Sequence, residues 1–417
     1  MTRRYWGVLL WGMVSVGYAQ TPRSISLTGA LAEARHRNPV LQAEHLTIQA
    51  TQADVVTAGL RANPTLNNQT LQLAKPSHFP EHTRALNAQN RQVWWQLTKP
   101  FNVAGQRQKA VALAEQTVEL SRRSYAETER KLLFDVANQW LDAWSAQRNL
   151  ALIGRAQQTV DSLVSINQVR LRNQVITQTD LLRTQILADQ YGLRAQTVRQ
   201  DYQNQLLQLK RLLNTTDSLA IAATDEVTIW SPGSADSLLA LAQRGRADVR
   251  VAEQAVEVAE RNTRLQEALR VPQPELGILY NPQNSVPYVG FYGTMPLPIF
   301  NKNQGEIQKA KVLRLQREQV VQYTHQQVQA EVLTAYRSYQ TQRQNLSRYT
   351  GILRQADQIL SSVRYAYLKG GTTIVDFLEA QRSWLDVQQE YLNTQVEYRR
   401  SFIQLLFATG QIQQLAN

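Results

Sequence analysis

Apolar residues recur at alternating spacings of three and four through long stretches of this chain. One stretch runs Leu133, Val136, Trp140, Ala143, then Leu150, Ile153, Val160, Val164. That spacing predicts helices with a coiled-coil seam, interrupted in places. Two very long helices are expected near 104–170 and 303–367. Four shorter ones are expected near 27–61, 179–213, 235–270 and 373–408. Each carries a thin apolar stripe with polar flanks, whereas the core of an isolated soluble bundle would draw on a wider one. In four places the period shortens to two, predicting strands at about 64–74, 89–99, 274–280 and 287–297. Val93, Trp95 and Leu97 share one face there, with Gln92, Gln96 and Thr98 on the other. Val289, Phe291, Met295 and Leu297 behave alike in the fourth strand.

The elements come in the same order twice, and residues match at a fixed spacing. Leu150 and Leu346, Asp180 and Asp376, Gln185 and Gln381, and Leu209 and Leu405 are each 196 positions apart. Upstream, "KPFNVAGQRQKA" parallels "LPIFNKNQGEIQKA". The chain therefore reads as two tandem repeats, 20–213 and 235–417, joined by a linker at 214–234. Each repeat is a short helix, two strands, a long helix, a turn and a second short helix. Ser, Thr, Pro and Gly in the linker suit a loop, with "EVTIW" at 226–230 as a candidate small strand. The hairpin tips fall at about 171–179 and 368–374.

Lengths connect these parts. A helix of about 65 residues reaches roughly 100 Å, and one of about 35 roughly 50 Å. Two short helices end to end thus match one long helix, giving four parallel struts. The strands are about ten residues long, alternate, and hold the aromatics Trp94, Trp95, Tyr288, Phe291 and Tyr292. This is the outer-membrane strand pattern, against the alternative of a soluble four-stranded sheet. Four strands cannot close a barrel, and lipid does not tolerate open sheet edges. If the strands lie in a membrane, several chains must share one barrel.

The first residues differ from the rest. Arg3 and Arg4 precede a short apolar stretch, and Gly17 and Ala19 stand before Gln20 in the pattern of a cleavable export signal, 1–19. A membrane anchor is the alternative, but the apolar stretch is short. No later run is apolar enough for a transmembrane helix. The chain has no cysteine, which excludes a lipid anchor at the cut, disulfides, thiolate metal sites and cysteine nucleophiles. The formal charge of +12 falls to +10 without Arg3 and Arg4. The cations are scattered among Gln and Glu, so nucleic acid is not an expected partner.

Catalytic signatures are missing. There is no HExxH, GxSxG, phosphate loop or dinucleotide fingerprint. His78, Glu81 and His82 share one loop, but their spacing suits a solvated loop better than a metal site. Met1, Met13 and Met295 are the three methionines, too few for a soft-metal relay. No enzyme activity, metal or cofactor is expected. The stretch "YLKGGTTIVDFLEAQ" stands out. Asp376 and Glu379 lie three apart on one helical face just past a Gly370-Gly371 turn. As a single-chain feature they read as solvated charges, with Asp376 favoured near a helix N-terminus.

Together, "YLKGGTTIVDFLEAQ", "GTMPLPIFNKNQGEIQKA", Asn38-Pro39 and "AGQRQKA" resemble the outer-membrane efflux protein family, the TolC type. The resemblance covers essentially the whole mature chain and extends to members serving heavy-metal and drug efflux pumps. It implies a homotrimer, with twelve strands in one outer-membrane barrel and twelve struts in a periplasmic tunnel of about 100 Å. It implies passive conduction with a periplasmic adaptor and an inner-membrane pump of the RND type, in the outer membrane of a Gram-negative bacterium. A type I secretion duct and a periplasmic coiled-coil adaptor are the alternatives. An adaptor, however, would have one hairpin and a lipoyl-like region.

The resemblance also assigns the tip. Gly370, Gly371, Val175 and Ile176 would meet the adaptor. Thr179 and Asp180 match positions that bond across to the second hairpin, and Tyr367 matches the tyrosine partner of the aspartate. Asp376 and Glu379 match acids that ring the constriction. Thr372 stands where one branch has an arginine latch, so closure would rest on Tyr367–Asp180. Six gathered carboxylates would favour cations, and like charges would raise their pKa values. The first hairpin lacks the Tyr and Gly of the second, so a different turn is expected there.

Overall fold

A computed structural model describes residues 22–222, 229, 231–283 and 286–416. The expected export signal, and most of the candidate strand at 226–230, lie outside them.

The first repeat contains β1 (Arg23–Ile25), α1 (Leu27–Arg37), α2 (Pro39–Gly59), β2 (Thr65–Gln72), β3 (Arg91–Pro100), α3 (Gln106–Arg172) and α4 (Gln178–Leu213). A short strand, β4 (Leu219–Ile221), follows in the linker. The second repeat contains α5 (Ala235–Gly245), α6 (Ala247–Leu269), β5 (Glu275–Gln283), β6 (Val286–Thr294), α7 (Gln304–Lys369) and α8 (Ile374–Ala408). The fold is mainly helical with a small β part. At 67 and 66 residues, α3 and α7 are each about 100 Å long.

Each expected first helix proves to be two. Asn38 breaks the run in the first repeat. Its Oδ1 accepts from the Val40 N–H at 2.9 Å, with Pro39 opening α2. Proline suits that position because its missing N–H has no intrahelical partner there. Arg246 breaks the run in the second repeat without a side-chain cap. Both break residues also do the same second task. Asn38 Nδ2 donates to the Leu212 carbonyl at 2.8 Å, and Arg246 Nη1 to the Ala408 carbonyl at 3.0 Å. Each satisfies a carbonyl at the end of α4 or α8 that its own helix leaves unpaired. Thus α2 abuts α4 and α6 abuts α8, end to end.

The long helices start alike. Gly105 (φ 69°) and Asn303 (φ 57°) are left-handed N-caps. Gln106 Oε1 accepts from the Ala104 N–H at 3.1 Å, and Gln304 Oε1 from the Lys302 N–H at 2.7 Å.

The main core lies at mid-height around Trp140, Trp144, Leu133, Leu141, Phe402 and Ile403. A second apolar cluster, with Ile153, Val160, Leu187, Phe377 and Leu385, runs toward the hairpin tips. Leu163 is buried in that seam, where Val164 was expected to turn inward. Near the main core, β1 pairs in parallel with β4, Ile25 against Ile221. Trp140 Nε1 donates to the Ile25 carbonyl at 3.3 Å. These three-residue strands fasten the linker beside the start of the first repeat.

The other sheet has the order β2-β3-β5-β6, antiparallel throughout. Its two repeats meet at β3–β5. Both edges, β2 and β6, are open.

Candidate functional site

Two regions could carry function, the sheet and the hairpin tips at opposite ends of the struts.

In an antiparallel sheet, directly opposed residues share a face. One row across all four strands is Leu66, Leu97, Ile278, Phe291, and the next is Asn68, Trp95, Tyr280, Val289. On the reverse face the rows read Thr65, Thr98, Gly277, Tyr292 and Asn67, Gln96, Leu279, Gly290. One face is therefore apolar and the other largely polar. Among the described residues nothing covers the apolar face, and Phe291 is 97% exposed. Trp95 and Phe291 point to the apolar face, whereas Trp94, Tyr288 and Tyr292 lie on the polar one. Met295 and Leu297 fall beyond the end of β6. A sheet with one greasy face, one wet face and two unpaired edges has the strand pattern found in membrane barrels. No helix among the described residues is long and apolar enough to cross a membrane.

The two tips turn out to share one turn. Gly370 (φ 79°) ends α7, and Gly371 N donates to the Ala366 carbonyl at 2.8 Å. In the first hairpin Gln174 takes the same left-handed conformation (φ 58°), and Val175 N donates to the Arg170 carbonyl at 2.8 Å. Three residues after each left-handed residue comes a threonine N-cap. The difference expected from the missing glycine is absent, because Gln174 adopts the strained conformation that glycine takes without steric cost. Thr177 with Asp180, and Thr373 with Asp376, form full capping boxes at the starts of α4 and α8.

Asp376 thus has a local role. Its carboxylate accepts from Thr372 Oγ1 at 2.7 Å, Thr373 Oγ1 at 2.7 Å and Thr373 N at 3.1 Å. These hydrogen bonds hold it below the ordinary carboxylate range. Within one chain that is the reverse of the like-charge expectation. Thr372 fills the latch position by binding Asp376 of its own turn. In the first hairpin Ile176 stands at that place. Asp376 and Glu379 are both exposed. Thr179 and Val175 are exposed, and Ile176 is half-buried.

Tyr367 does not meet Asp180. Its hydroxyl donates to Asn167 Oδ1 at 2.7 Å. Asn167 Nδ2 donates to Thr184 Oγ1 at 2.9 Å, and that hydroxyl donates to the Asp180 carbonyl at 2.9 Å. Arg170 lies over the Tyr367 ring, 4.6 Å from its centroid, and its Nη1 donates to the Tyr367 carbonyl at 3.1 Å. Phe377 stacks on the same ring, with centroids 5.5 Å apart. Asn167 and Thr184 are 0% exposed. Burial pushes the Tyr367 hydroxyl pKa up, against the opposing effects of Arg170 and Asn167. The result is a buried, satisfied polar chain joining α3, α4 and α7, with α8 packed on it through the Phe377 ring. Asp180 joins it through its backbone carbonyl, while its side chain caps α4.

Asn167 and Thr184 are the residues sequence reasoning missed. Each sits in an apolar seam, Asn167 after Val160 and Leu163, Thr184 between Leu181 and Leu187. A polar residue at a seam position was the available signal. Among the described residues no group of three or more His, Asp or Glu side chains is arranged for a metal.

A family model for outer membrane efflux proteins matches residues 30–215 and 238–411. No curated protein sequence matches the chain. Among solved structures, CusC, described in connection with transmembrane channel formation, has a TM-score of 0.76 at 18% identity, over 93% of this chain and 92% of that one. VceC, an outer membrane protein of Vibrio cholerae, has a TM-score of 0.71 at 18% identity, over 92% and 96%. The open-state MtrE outer membrane channel of Neisseria gonorrhoeae has a TM-score of 0.74 at 18% identity, over 92% and 89%. At these identities the likeness shows the fold.

Proposed function

We infer the function from one premise: the chain belongs to the outer membrane efflux protein family. Its members are membrane ducts and not enzymes. We propose that three copies pair β6 of one chain with β2 of the next, closing a twelve-stranded barrel in the outer membrane of a Gram-negative bacterium. The observation that carries this is the two-faced sheet with two open edges, because lipid admits strands only in closed barrels. The apolar rows then meet lipid and the polar rows line the lumen. The struts continue the lumen into the periplasm as a helical tunnel. Conduction is passive. Energy comes from an inner-membrane pump of the RND type, and a periplasmic adaptor meets the turns at Val175, Ile176, Gly370 and Gly371. The chain reaches that membrane after cleavage of an export signal near Ala19/Gln20.

The tip would act as the aperture. The Tyr367–Asn167–Arg170 interlock ties the second hairpin of each protomer to the first, so an opening that parts the two hairpins must break it. Threefold symmetry would gather Asp376 and Glu379 into a ring of six acids that favours cations.

Membrane fractionation followed by planar-bilayer recording tests the reading. The expected result is a detergent-requiring trimer in the outer-membrane fraction that forms discrete conducting pores. A soluble monomer, or a membrane protein without conductance, would overturn it.

A further inference from the structure

The exposed apolar side chains of the helices are shared unevenly among the four struts. α2 and α4 pack on α3, α3 packs on α6 and α8, and both of these pack on α7. The α2/α4 strut and the α7 strut are therefore outermost, beside the open edges β2 and β6. α2 exposes Val40, Leu46 and Val56, and α4 exposes Leu182, Ile186, Leu193 and Leu207. α7 exposes nine large apolar side chains, from Val312 to Leu368, whereas α6 and α8 expose one each. These side chains are ordered. Ala43, Leu46, Ala50, Ala53, Thr57 and Leu60 follow at spacings of three and four, and all are exposed. That is the period of a coiled-coil seam. On α4 the same period runs through Leu182, Ile186, Asp189 and Leu193, opposite the buried Thr184, Tyr191 and Val198. On α7 it runs from Val312 through Tyr323, Ala330 and Gly351 to Tyr365, opposite the buried Val328, Tyr339 and Tyr367. Each outer strut thus carries a second seam that its own chain leaves uncovered.

We propose that the α2/α4 seam of one chain packs along the α7 seam of a second copy, resting on the reading that three copies close one barrel. Three observations select a second copy as the occupant. The seams lie beside the two edges that barrel closure joins, β2 and β6, so a neighbour placed for one contact is placed for the other. Heights also agree. The two tips are level, since Arg170 Nη1 reaches the Tyr367 carbonyl at 3.1 Å, and α4 rises from there while α7 descends to it. Counted from the helix ends at about 1.5 Å per residue, Leu182 and Tyr365 stand at about 7 and 6 Å. Leu193 and Gly351 stand at about 24 and 27 Å on the same count. One leucine meets an exposed ring, and the other meets a residue with no side chain, where the helices approach closely. Charge is complementary too. From Leu182 to Leu207 the one charge on the α4 seam is Asp189, whereas the charges on the α7 seam are Arg337 and Arg348. Because the two seams differ, the contact is head to tail and closes by rotation.

The chain has no cysteine, so engineered pairs report the contact directly. Leu193→Cys is combined in turn with Arg348→Cys, Gly351→Cys and Gln355→Cys, which bracket its height. All four positions are exposed, and a side chain at Gly351 meets open space. The full chain is purified in detergent, oxidised with copper phenanthroline and run on denaturing gels. At least one pair should shift most of the protein to a covalent trimer, with no larger product, and dithiothreitol should return it to monomer. Leu193→Cys alone should stay monomeric, because a head-to-tail contact does not bring Leu193 to its own copy. Equal cross-linking by Leu193→Cys alone would overturn the proposal. So would cysteines that stay uncrosslinked and open to maleimide in all three pairs, the result if the seams are left free for a different protein. Planar-bilayer recording on the same preparations separates the two readings. Conducting trimers without cross-links remove the seam alone, while a preparation with neither trimer nor pores removes the channel and the seam with it.

Discussion

Tyr367→Phe isolates one atom of the tip interlock. The ring stays, so stacking on Phe377 and the Arg170 contact remain, and Arg170 still reaches the residue 367 carbonyl. Only the 2.7 Å hydrogen bond to Asn167 Oδ1 is lost. That oxygen is 0% exposed, so water does not replace the donor. A lost hydrogen bond costs about 1 kcal/mol, and a buried acceptor left unpaired adds to it, for about 2 kcal/mol in all. If opening parts the hairpins, the open state never had this bond and pays nothing. The open-to-closed ratio should then rise roughly 30-fold per protomer, at tenfold per 1.4 kcal/mol. Single-channel recording in planar bilayers reads this as open probability. Tyr367→Phe/Asn167→Leu gives an internal check. Removing both partners takes away the orphaned Asn167 oxygen, and the Asn167–Thr184 bond lost with it lies within the first hairpin, so the double variant should be closed more of the time than Tyr367→Phe. Wild-type open probability in Tyr367→Phe would refute the interlock as a gate element. So would a double variant more open than the single.

Other outcomes follow from the same structure. Phe291→Arg places a charge on the lipid-facing row and should destabilise the barrel by about 3 kcal/mol in a lipid unfolding assay, while Gln96→Arg on the polar face should leave stability near wild type and change conductance. Arg246→Met leaves the carboxylates of Asp248 and Glu331 without their partner at 2.6 and 2.7 Å and should cost about 3 kcal/mol, read by denaturant unfolding. Burial pushes the Asp248 pKa up, but hydrogen bonds and charge from Arg246 and Arg130 more than reverse this and leave it lowered. Its stabilisation is therefore present above the ordinary Asp range and lost as pH falls through the lower folded value, so Asp248→Asn should flatten the acid limb of the stability curve. Asp376→Asn/Glu379→Gln should abolish cation preference in reversal-potential measurements, and unchanged selectivity would remove the acid ring from the account.

What the sequence made legible tracks the range of the interactions. Alternation located the four strands of the larger sheet, because each residue's face is settled by its immediate neighbours and by whether that face is apolar or polar. The spacing of 196 positions reappears in the coordinates in detail. Thr177 and Thr373, Asp180 and Asp376, Gln174 and Gly370, and Leu212 and Ala408 take matched places. The three-residue strands β1 and β4 were too short to show a period. The break at Asn38 had a proline to announce it, whereas Arg246 has none and is held by Asp248 two residues on and by Glu331, 85 residues away. At the tip, the polar interruption at Asn167 was visible, but its partner was not. Tyr367 lies 200 residues away, and that pairing is decided by how two hairpins pack, which no local pattern encodes. Tyr367 was accordingly assigned to Asp180, which the structure instead commits to capping α4.

The open edges of β2 and β6 carry a genetic consequence. On the proposed assembly, a barrel closed by three chains is only as sound as its worst seam. A chain whose β6 edge cannot pair, for example through a proline in mid-strand, would still offer a normal β2 edge and would enter mixed trimers. In a cell making equal amounts of sound and defective chains, random assembly on threefold symmetry leaves roughly one barrel in eight wholly sound. Edge-strand alleles should therefore be dominant over wild type. Alleles that merely unfold the chain before assembly, such as truncation of Trp140 in the core, should be recessive.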